Sequence, residues 1–224
     1  MTRSWLPWLL LLVASRAAGA GEIPGSVIVL EVVAPPLPGQ VPGAAPPRFV
    51  LLASGEVFVG GTSRLATGRL EKPEVRALEK LIEQVRKLPG LGSTVSLGAG
   101  PSRYRLVLRK GRSLEILATG DPATAPAPLK PLASLLQDLS AFDHPSLRPF
   151  EPASYLLSAR EGSLTGGCRP WSFGVSPGEA AVAPRSVPAA AAADWPTGAL
   201  AASACAGDKR YVVTLRPMVP GERP

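Results

Sequence analysis

The chain has 224 residues, and 24 Lys and Arg against 17 Asp and Glu give it a net charge of +7. Its apolar fraction of 46% is sufficient for a hydrophobic core. One His and two Cys exclude the usual zinc, haem and iron–sulfur sites, which need more ligands of these types, and the lack of Asn excludes N-glycosylation sequons. We therefore expect one domain without a cofactor.

The amino terminus has the pattern of a secretory signal peptide over residues 1–20. Arg3 supplies a positive start, an apolar run of about ten residues follows, and Ala18-Gly19-Ala20 supplies the small residues that signal peptidase accepts. We expect cleavage between Ala20 and Gly21. Because a bilayer span needs ~20 apolar residues, the run is too short for an anchor. The sequence thus predicts an extracytoplasmic protein, secreted or periplasmic, with no transmembrane anchor in the mature chain.

The positive charge is spread along the chain. Loss of Arg3 and Arg16 with the signal peptide leaves 22 basic residues and a net charge of +5. No interleaved aromatic platform accompanies the basic residues of 103–112, although single-stranded nucleic-acid sites combine the two. A nucleic-acid partner is therefore not expected.

Residues 21–47 begin with a β-branched run at 26–33, which predicts a strand, and continue as a Pro- and Gly-rich linker. Phe49–Leu52 and Glu56–Val59 then flank Ala53-Ser54-Gly55, which is typical of a hairpin. Residues 63–70 are predicted to add a strand.

A first helix is predicted after Pro73, which suits an initial helical turn, and Pro89-Gly90 ends it. Glu74 near its start and Arg86 near its end follow the charge order that the helix dipole favours. One apolar face is formed by Val75, Leu78, Leu81, Ile82, Val85 and Leu88. Leu81 lies in the middle of this face, and we expect it to be buried.

A second hairpin is predicted at 104–119 and a second helix over 129–142. The helix has one apolar face, made of Leu129, Leu132, Leu135, Leu136, Leu139 and Phe142. Its spacing repeats that of the first helix at an offset of 54 residues. Duplication of a hairpin–helix unit and independent helices of the same geometry both explain this pattern.

Residues 48–148 therefore predict a hairpin–helix–hairpin–helix core. The fold class is α+β: an antiparallel sheet built from hairpins, with two amphipathic helices on one face. Residues 149–224 predict a loop-rich extension whose strands, at 155–159 and 210–215, belong to the same domain. The stretch 162–207 between them is rich in Pro, Gly and Ala and predicts an irregular segment.

Cys168 and Cys205 are the two thiols of the chain. An even number of thiols in an exported protein favours a disulfide, which would secure the segment with the least core of its own. Redox chemistry is the alternative, although no Cys-Xaa-Xaa-Cys is present. Trp171 and Trp195 lie near the cysteines in sequence and are expected either to pack over the bridge or to form an exposed aromatic binding site.

The sequence contains three candidate catalytic patterns. Gly174-Val175-Ser176-Pro177-Gly178 fits the nucleophile-elbow template, but Pro177 lacks the N–H that an oxyanion needs. His144 follows the second helix and is expected to interact with the last helical carbonyls. Two pairs of carboxylates are candidates for the acid and base of a glycosidase: Asp138 with Asp143, and Glu151 with Glu161. Nothing in the sequence places the members of either pair at the separation that this reaction requires. No catalytic residue is therefore assigned.

Three short segments carry a resemblance: residues 49–57, residues 150–155 and the closing Arg210–Glu222, which contains Arg216-Pro217-Met218-Val219-Pro220-Gly221-Glu222. The layout resembles a group of uncharacterised bacterial exported proteins and lipoproteins that end in a strand followed by Arg-Pro, two apolar residues and Pro-Xaa-Glu. The resemblance covers about residues 45–224 and implies export and a fold without implying an activity. The chain lacks the acylated Cys of the lipoprotein members.

The sequence predicts an exported protein that binds an unidentified macromolecule or supports the cell envelope, with no cofactor and no enzymatic activity assigned. Two alternatives remain open. One is a secreted hydrolase with a carboxylate-based site, and the other is an inhibitor of an extracellular enzyme that uses a rigid loop in 162–207.

Overall fold

The computed structural model describes residues 22–33, 46–60, 64–197 and 201–224. The predicted signal peptide, with its cleavage point between Ala20 and Gly21, lies outside the described residues, as does most of the predicted linker. In the described part of the chain, no helix has the length and apolar character needed to cross a membrane.

The described residues between 26 and 150 form an eight-stranded sheet. Its strands are β1 Ser26–Val33, β2 Phe49–Leu52, β3 Glu56–Gly60, β4 Leu65–Arg69, β5 Thr94–Ser96, β6 Arg103–Leu108, β7 Leu114–Thr119 and β8 Arg148–Phe150. They are arranged in the order β5-β7-β6-β1-β2-β3-β4-β8, and every pair except β5 with β7 is antiparallel. The α+β prediction is confirmed, and both predicted hairpins are present as β2–β3 and β6–β7.

Alternating apolar residues explain why one face of this sheet is covered by helices. In the second hairpin Leu106 pairs with Ile116, and Tyr104 pairs with Ala118. Three of these four residues are fully buried: Leu106, Ile116 and Ala118. A side chain period of two places all of them on the same face. This face packs against helices α1, Lys72–Arg86, and α2, Lys130–Ser140.

The two helices bury their apolar faces to different extents. The face of α2 is fully enclosed, with Leu132, Leu135, Leu136 and Leu139 at 0% exposure. In α1 the buried residues are Ile82 and Val85, whereas Leu81 is only half-buried. The expectation that Leu81 is buried is met in part, because its side chain packs against the same core but is less enclosed than those of Ile82 and Val85.

Residues 154–217 form a second, five-stranded sheet. Its strands are β9 Ser154–Glu161, β10 Arg169–Pro170, β11 Arg185–Pro188, β12 Ala201–Ala206 and β13 Lys209–Pro217, in the order β10-β12-β13-β9-β11. Two short helices, α3 Pro177–Val182 and α4 Ala189–Ala192, lie between the strands. The segment 162–207 thus has more regular structure than its composition predicts, and the predicted strands at 155–159 and 210–215 are the long central strands of this sheet.

The chain after β13 contacts the first sheet on the face opposite its helices. Val219 belongs to a buried cluster with Val29, Val50, Phe58 and Val107. These four residues alternate with those that face the helices, so they project from the other side of β1, β2, β3 and β6. The carboxyl-terminal segment therefore joins the strand that ends the second sheet to the back of the first.

Candidate functional site

A cavity of about 390 Å³ lies at one corner of the first sheet. It is formed by the β2–β3 turn, the end of β4 and the loop into β8, and it is lined by Ser54, Glu56, Gly68, Arg69, Ser146 and Arg148. A second cavity, of about 320 Å³, lies at the same edge of the sheet. Arg148 lines both, and the second cavity also has Arg48 and Arg64 in its wall. We call the two together the arginine cleft.

The register of β4 and β8 places Ser146 at the cleft. Thr67 pairs with Arg148 and Ala66 with Pro149, so continuation of the antiparallel ladder would set Arg69 opposite Ser146. The hydroxyl of Ser146 occupies this position instead of the backbone. Its Oγ accepts a hydrogen bond from the Arg69 N–H at 3.1 Å and donates one to the Arg69 carbonyl at 3.1 Å. One side chain therefore supplies the last rung of the ladder.

Gly68 is required for this arrangement. A Cβ atom added at Gly68 would lie 2.6 Å from Ser146 Oγ and 3.1 Å from a methyl carbon of Leu147. A side chain at position 68 would push the loop away from β4. The glycine thus allows the backbone of Arg69 to meet the hydroxyl.

His144 connects this rung to helix α1. Its Nδ1 lies 2.7 Å from Ser146 Oγ, and its Nε2 lies 2.9 Å from Glu74 Oε1. The other oxygen of Glu74 accepts the N–H of Glu71 at 2.7 Å, in the capping box of the helix. The Glu71 N–H, and after it the hydrogen bond from His144, lower the pKa of Glu74. His144 therefore bonds Glu74 and Ser146, in place of the helical carbonyls that we expected.

Ser146, His144 and Glu74 have the residue types of a hydrolytic triad, but their arrangement favours a positioning role. A serine nucleophile must release its proton to the base and leave its oxygen open to a carbonyl carbon. Ser146 Oγ is instead held by both backbone groups of Arg69, beside Gly68. The chain of hydrogen bonds holds the backbone where β4 ends and β8 begins, the positions of Arg69 and Arg148.

The guanidinium groups of the cleft differ in their hydrogen-bond partners. Arg48 donates to the carbonyls of Ser140 and Gly60 and is a structural bridge. Arg69 makes one long hydrogen bond, 3.4 Å, to the Ser54 carbonyl. Arg148 and Arg64 are exposed and make no hydrogen bond or ion pair with another described residue.

Among the residues that line the cleft, Glu56 is the one acid against four arginines. The cleft is therefore positively charged and has unoccupied donors. Guanidinium groups bind carboxylate and phosphate oxygens through two parallel hydrogen bonds. The arrangement is suited to binding an anion.

The other candidate residues are not brought together. Ser176 caps α3, where its Oγ accepts the Glu179 N–H at 3.2 Å, and it does not form a nucleophile elbow. Glu161 forms an ion pair with Lys209 at 3.3 Å. Neither cavity of the cleft is lined by the proposed carboxylate pairs. Within the described ranges, no group of three His, Cys, Asp or Glu is placed to hold a metal ion.

Cys168 and Cys205 form a disulfide with their Cα atoms 5.6 Å apart. The bridge lies where β10 pairs with β12, and next to it the Trp171 N–H donates to the Cys205 carbonyl at 2.8 Å. It therefore fastens the edge strand to the sheet.

The aromatic residues near the bridge cover the second sheet. The ring of Trp171 contacts those of Phe173 and Tyr211, with centroids 5.0 and 5.7 Å away, and Phe173 contacts Trp195 at 4.6 Å. Trp195 is 7% exposed. These rings form the core of the sheet, and Trp195 is not available as an exposed aromatic site.

Sequence reasoning missed the cleft because its residues come from separate segments. Ser54, Arg69 and Arg148 are joined only by the pairing of β3, β4 and β8. The Gly68-Arg69 pair and the Ser146-Leu147-Arg148 segment carry no motif of their own.

Comparisons of the chain with protein-family models, with curated proteins and with solved structures give no match.

Proposed function

We propose that the protein is an exported binding domain whose ligand is anionic and binds in the arginine cleft. The observation that carries the proposal is that two exposed arginines of the cleft, Arg148 and Arg64, have guanidinium groups without a partner among the described residues. The backbone of Arg69, beside Arg148, is held by Ser146, which His144 contacts.

Two features support export. The residues of 1–20 have the order of a signal peptide. The Cys168–Cys205 disulfide belongs to proteins of oxidising compartments, outside the cytoplasm. Mass spectrometry of the exported protein tests this part of the proposal. We expect a mature chain that begins at Gly21, and a secreted chain that retains residues 1–20 would contradict the assigned cleavage point.

Binding is tested by isothermal titration of the mature protein with anionic polymers at low and moderate salt. Arg148→Gln should weaken binding, and the matched control Arg210→Gln, an exposed arginine at the start of β13 in the second sheet, should leave it unchanged. Salt screens the attraction between exposed charges, so the affinity should fall as the salt concentration rises. No binding to any anionic polymer, or equal losses in the two variants, would overturn the proposal.

Hydrolysis is a second candidate, favoured by one observation: the hydrogen-bonded hydroxyl, imidazole and carboxylate of Ser146, His144 and Glu74 at the edge of a cavity. A fluorophosphonate probe, which labels activated serines, tests it directly. Because the Arg69 backbone holds Ser146 Oγ, we expect no labelling at this residue. Labelling that is lost in Ser146→Ala would make the protein a hydrolase.

The inhibitor hypothesis needed a rigid protruding loop in 162–207. The described residues of this segment instead include β10, β11, α3 and α4, and they pack on the second sheet through Phe173, Ala180 and Trp195. This arrangement favours a binding site in the arginine cleft over one in that segment.

A further inference from the structure

We propose that strand β5, at one edge of the first sheet, is a self-association site where a second copy of the chain adds its own β5 in antiparallel orientation. This inference goes beyond the proposed function and does not rest on it, because the arginine cleft lies near β8, at the opposite edge of the sheet. It follows from the composition of the edge strands, from the backbone groups of β5 and from the charge of the segment around it.

Strand β5 lacks the features that protect the other edge strands. The edges of the two sheets are β5 and β8 in the first and β10 and β11 in the second. Prolines, which have no N–H to donate, and charged side chains discourage the addition of a further strand at an edge. The other edge strands each contain an arginine and a proline: Arg148 and Pro149 in β8, Arg169 and Pro170 in β10, and Arg185 and Pro188 in β11. Strand β5 is Thr94-Val95-Ser96 and contains neither.

The backbone of β5 has unpaired hydrogen-bonding groups on its outer side. The carbonyl of Ser93 and the N–H of Leu97 both form hydrogen bonds with β7, each at 2.7 Å. Because alternate residues of a strand direct their backbone groups to opposite sides, those of Thr94 and Ser96 point away from β7. No hydrogen bond joins these groups to another described residue, and both residues are exposed. The outer side of β5 is therefore open to a further strand.

Two copies of β5 are complementary when they lie antiparallel with the two Val95 residues opposite each other. Thr94 of one copy is then opposite Ser96 of the other, and the two residues exchange N–H to carbonyl hydrogen bonds in both directions. The same contacts recur on both sides of the twofold axis, as in an isologous dimer. Val95 is buried in the helix-facing core, so the side chains of Thr94 and Ser96 lie on the other, exposed face. The pairing thus places small hydroxyl side chains next to each other.

The charge of the surrounding segment favours a second copy as the partner. The chain is basic, with a net charge of +7, so two copies repel each other where their basic surfaces meet. Between Lys87 and Arg103 no residue is charged, and β5 lies in the middle of this segment. A second copy can therefore approach β5 without like charges in the pairing. Because β5 is short, the contact is smaller than that of a permanent dimer, and we expect a reversible one.

Sedimentation equilibrium of the mature protein at concentrations up to about 1 mM, which covers weak complexes, tests the inference. We expect a reversible equilibrium between monomer and dimer. Amide hydrogen exchange locates the contact. Exchange at Thr94 and Ser96 should slow as the protein concentration rises, whereas exchange at Leu97, whose N–H already donates to the Thr119 carbonyl, should not change.

Two double variants of β5 test the register of the pairing. Thr94→Lys, Ser96→Lys places a lysine opposite a lysine in both cross-strand pairs and should weaken the dimer by about tenfold. Thr94→Lys, Ser96→Glu places each lysine opposite a glutamate and should dimerise at least as tightly as the wild type. The matched control is Ser163→Lys, Thr165→Lys, which adds the same charge at exposed residues of the same types and spacing after β9. At moderate salt it should leave the dimer unchanged, and thermal melts confirm that all three variants are folded.

The outcomes that contradict the inference are distinct. A wild-type protein that stays monomeric over the whole concentration range would overturn it, and a strand of a different protein would become the candidate partner of β5. A dimer that the two β5 variants weaken equally would overturn the antiparallel register. A dimer that the control weakens as much as the lysine pair does would place the association outside β5.

Discussion

Arg216 and Glu222 form an ion pair inside the protein in which two hydrogen bonds join the guanidinium to the carboxylate. Nη1 of Arg216 donates to Oε2 of Glu222 at 3.1 Å, and Nη2 donates to Oε1 at 2.5 Å. Their side chains are 1% and 0% exposed. Glu222 Oε2 also accepts the Val219 N–H at 3.1 Å, and the Glu222 N–H donates to the Val219 carbonyl at 3.0 Å. The pair thus closes the turn that places Val219 on the back of the first sheet.

This geometry gives a physical meaning to the closing Arg-Pro-apolar-apolar-Pro-Xaa-Glu pattern. The Arg and Glu six residues apart are ion-pair partners, and the two apolar residues between them, Met218 and Val219, are 4% and 2% exposed. In this chain the pattern therefore forms a buried turn that links the end of the second sheet to the back of the first.

Removal of one partner should be far more damaging than removal of both. Glu222→Leu leaves the Arg216 charge buried without its counterion, and we expect it to lower the free energy of unfolding by about 3–5 kcal/mol. The double variant Arg216→Leu, Glu222→Leu removes both charges and should recover a large part of that loss. Denaturant unfolding measures the free energy of unfolding of both variants. A loss under about 1 kcal/mol in the single variant would show that the ion pair does not stabilise this turn.

The disulfide should stabilise the second sheet in particular. The Cys168→Ser, Cys205→Ser variant should be less stable by about 3–4 kcal/mol, the loop-entropy estimate for a crosslink across 37 residues. Without the bridge, protease should cut residues 169–197 faster, whereas 64–142 should resist because its core is separate. Thiol titration provides the check on the starting material. Two reactive thiols in denatured, unreduced protein would exclude the bridge.

The sequence predicted the first sheet well and the second poorly, for a physical reason. Leu106, Leu108 and Ile116 are large alternating side chains, so their period of two is visible. In β12, Ala202, Ala204 and Ala206 face the aromatic core, and alternation between small residues gives almost no signal. Large side chains from distant positions, such as Trp195, complete that core, and their contact could be known only from the fold.

The arginine cleft was beyond sequence reasoning for a related cause. Arg69 and Arg148 become neighbours through a three-rung pairing of short strands, 79 residues apart in the chain. The role of Ser146 depends on the register of that pairing and on a glycine that leaves room for its oxygen. The helical periodicity, in contrast, gave the position of α1 and the residues of its core-facing side, but not how deeply each of them is buried.

Two leucines at equivalent positions of the helices measure this difference in burial. Leu135 is 0% exposed, and Leu135→Ala should cost about 2–5 kcal/mol of unfolding free energy. Leu81 is half-buried, so Leu81→Ala should cost less than half as much. Denaturant melts of the two variants are directly comparable. Equal losses would place Leu81 in the core and contradict the orientation of α1.

The pH dependence of stability should have a contribution from Glu74. Its pKa is lowered from the ordinary value of 4.5, chiefly by the Glu71 N–H and then by His144. A carboxylate whose pKa is lower in the folded state stabilises that state above its unfolded pKa, and the contribution is lost as the pH falls through the folded pKa. Wild-type protein should therefore lose more stability than Glu74→Gln between pH 5 and pH 3, as measured by thermal melts. Parallel pH profiles would show that Glu74 does not contribute.

Gly68 and Ser146 should behave as a coupled pair. Gly68→Ala places a Cβ 2.6 Å from Ser146 Oγ and should cost about 1–3 kcal/mol, as overpacking does. Ser146→Ala removes the rung at Arg69 and should cost about 1 kcal/mol. In the double variant the clashing oxygen is absent, so the combined loss should be smaller than the two single losses added together. Gly178→Ala is the matched control, since nothing lies within 4 Å of its added Cβ, and it should not be coupled to Ser146→Ala. Strict additivity for Gly68 and Ser146 would show that the hydroxyl does not lie against the glycine, and the fixed position of Arg69 and Arg148 in the cleft would lose its explanation.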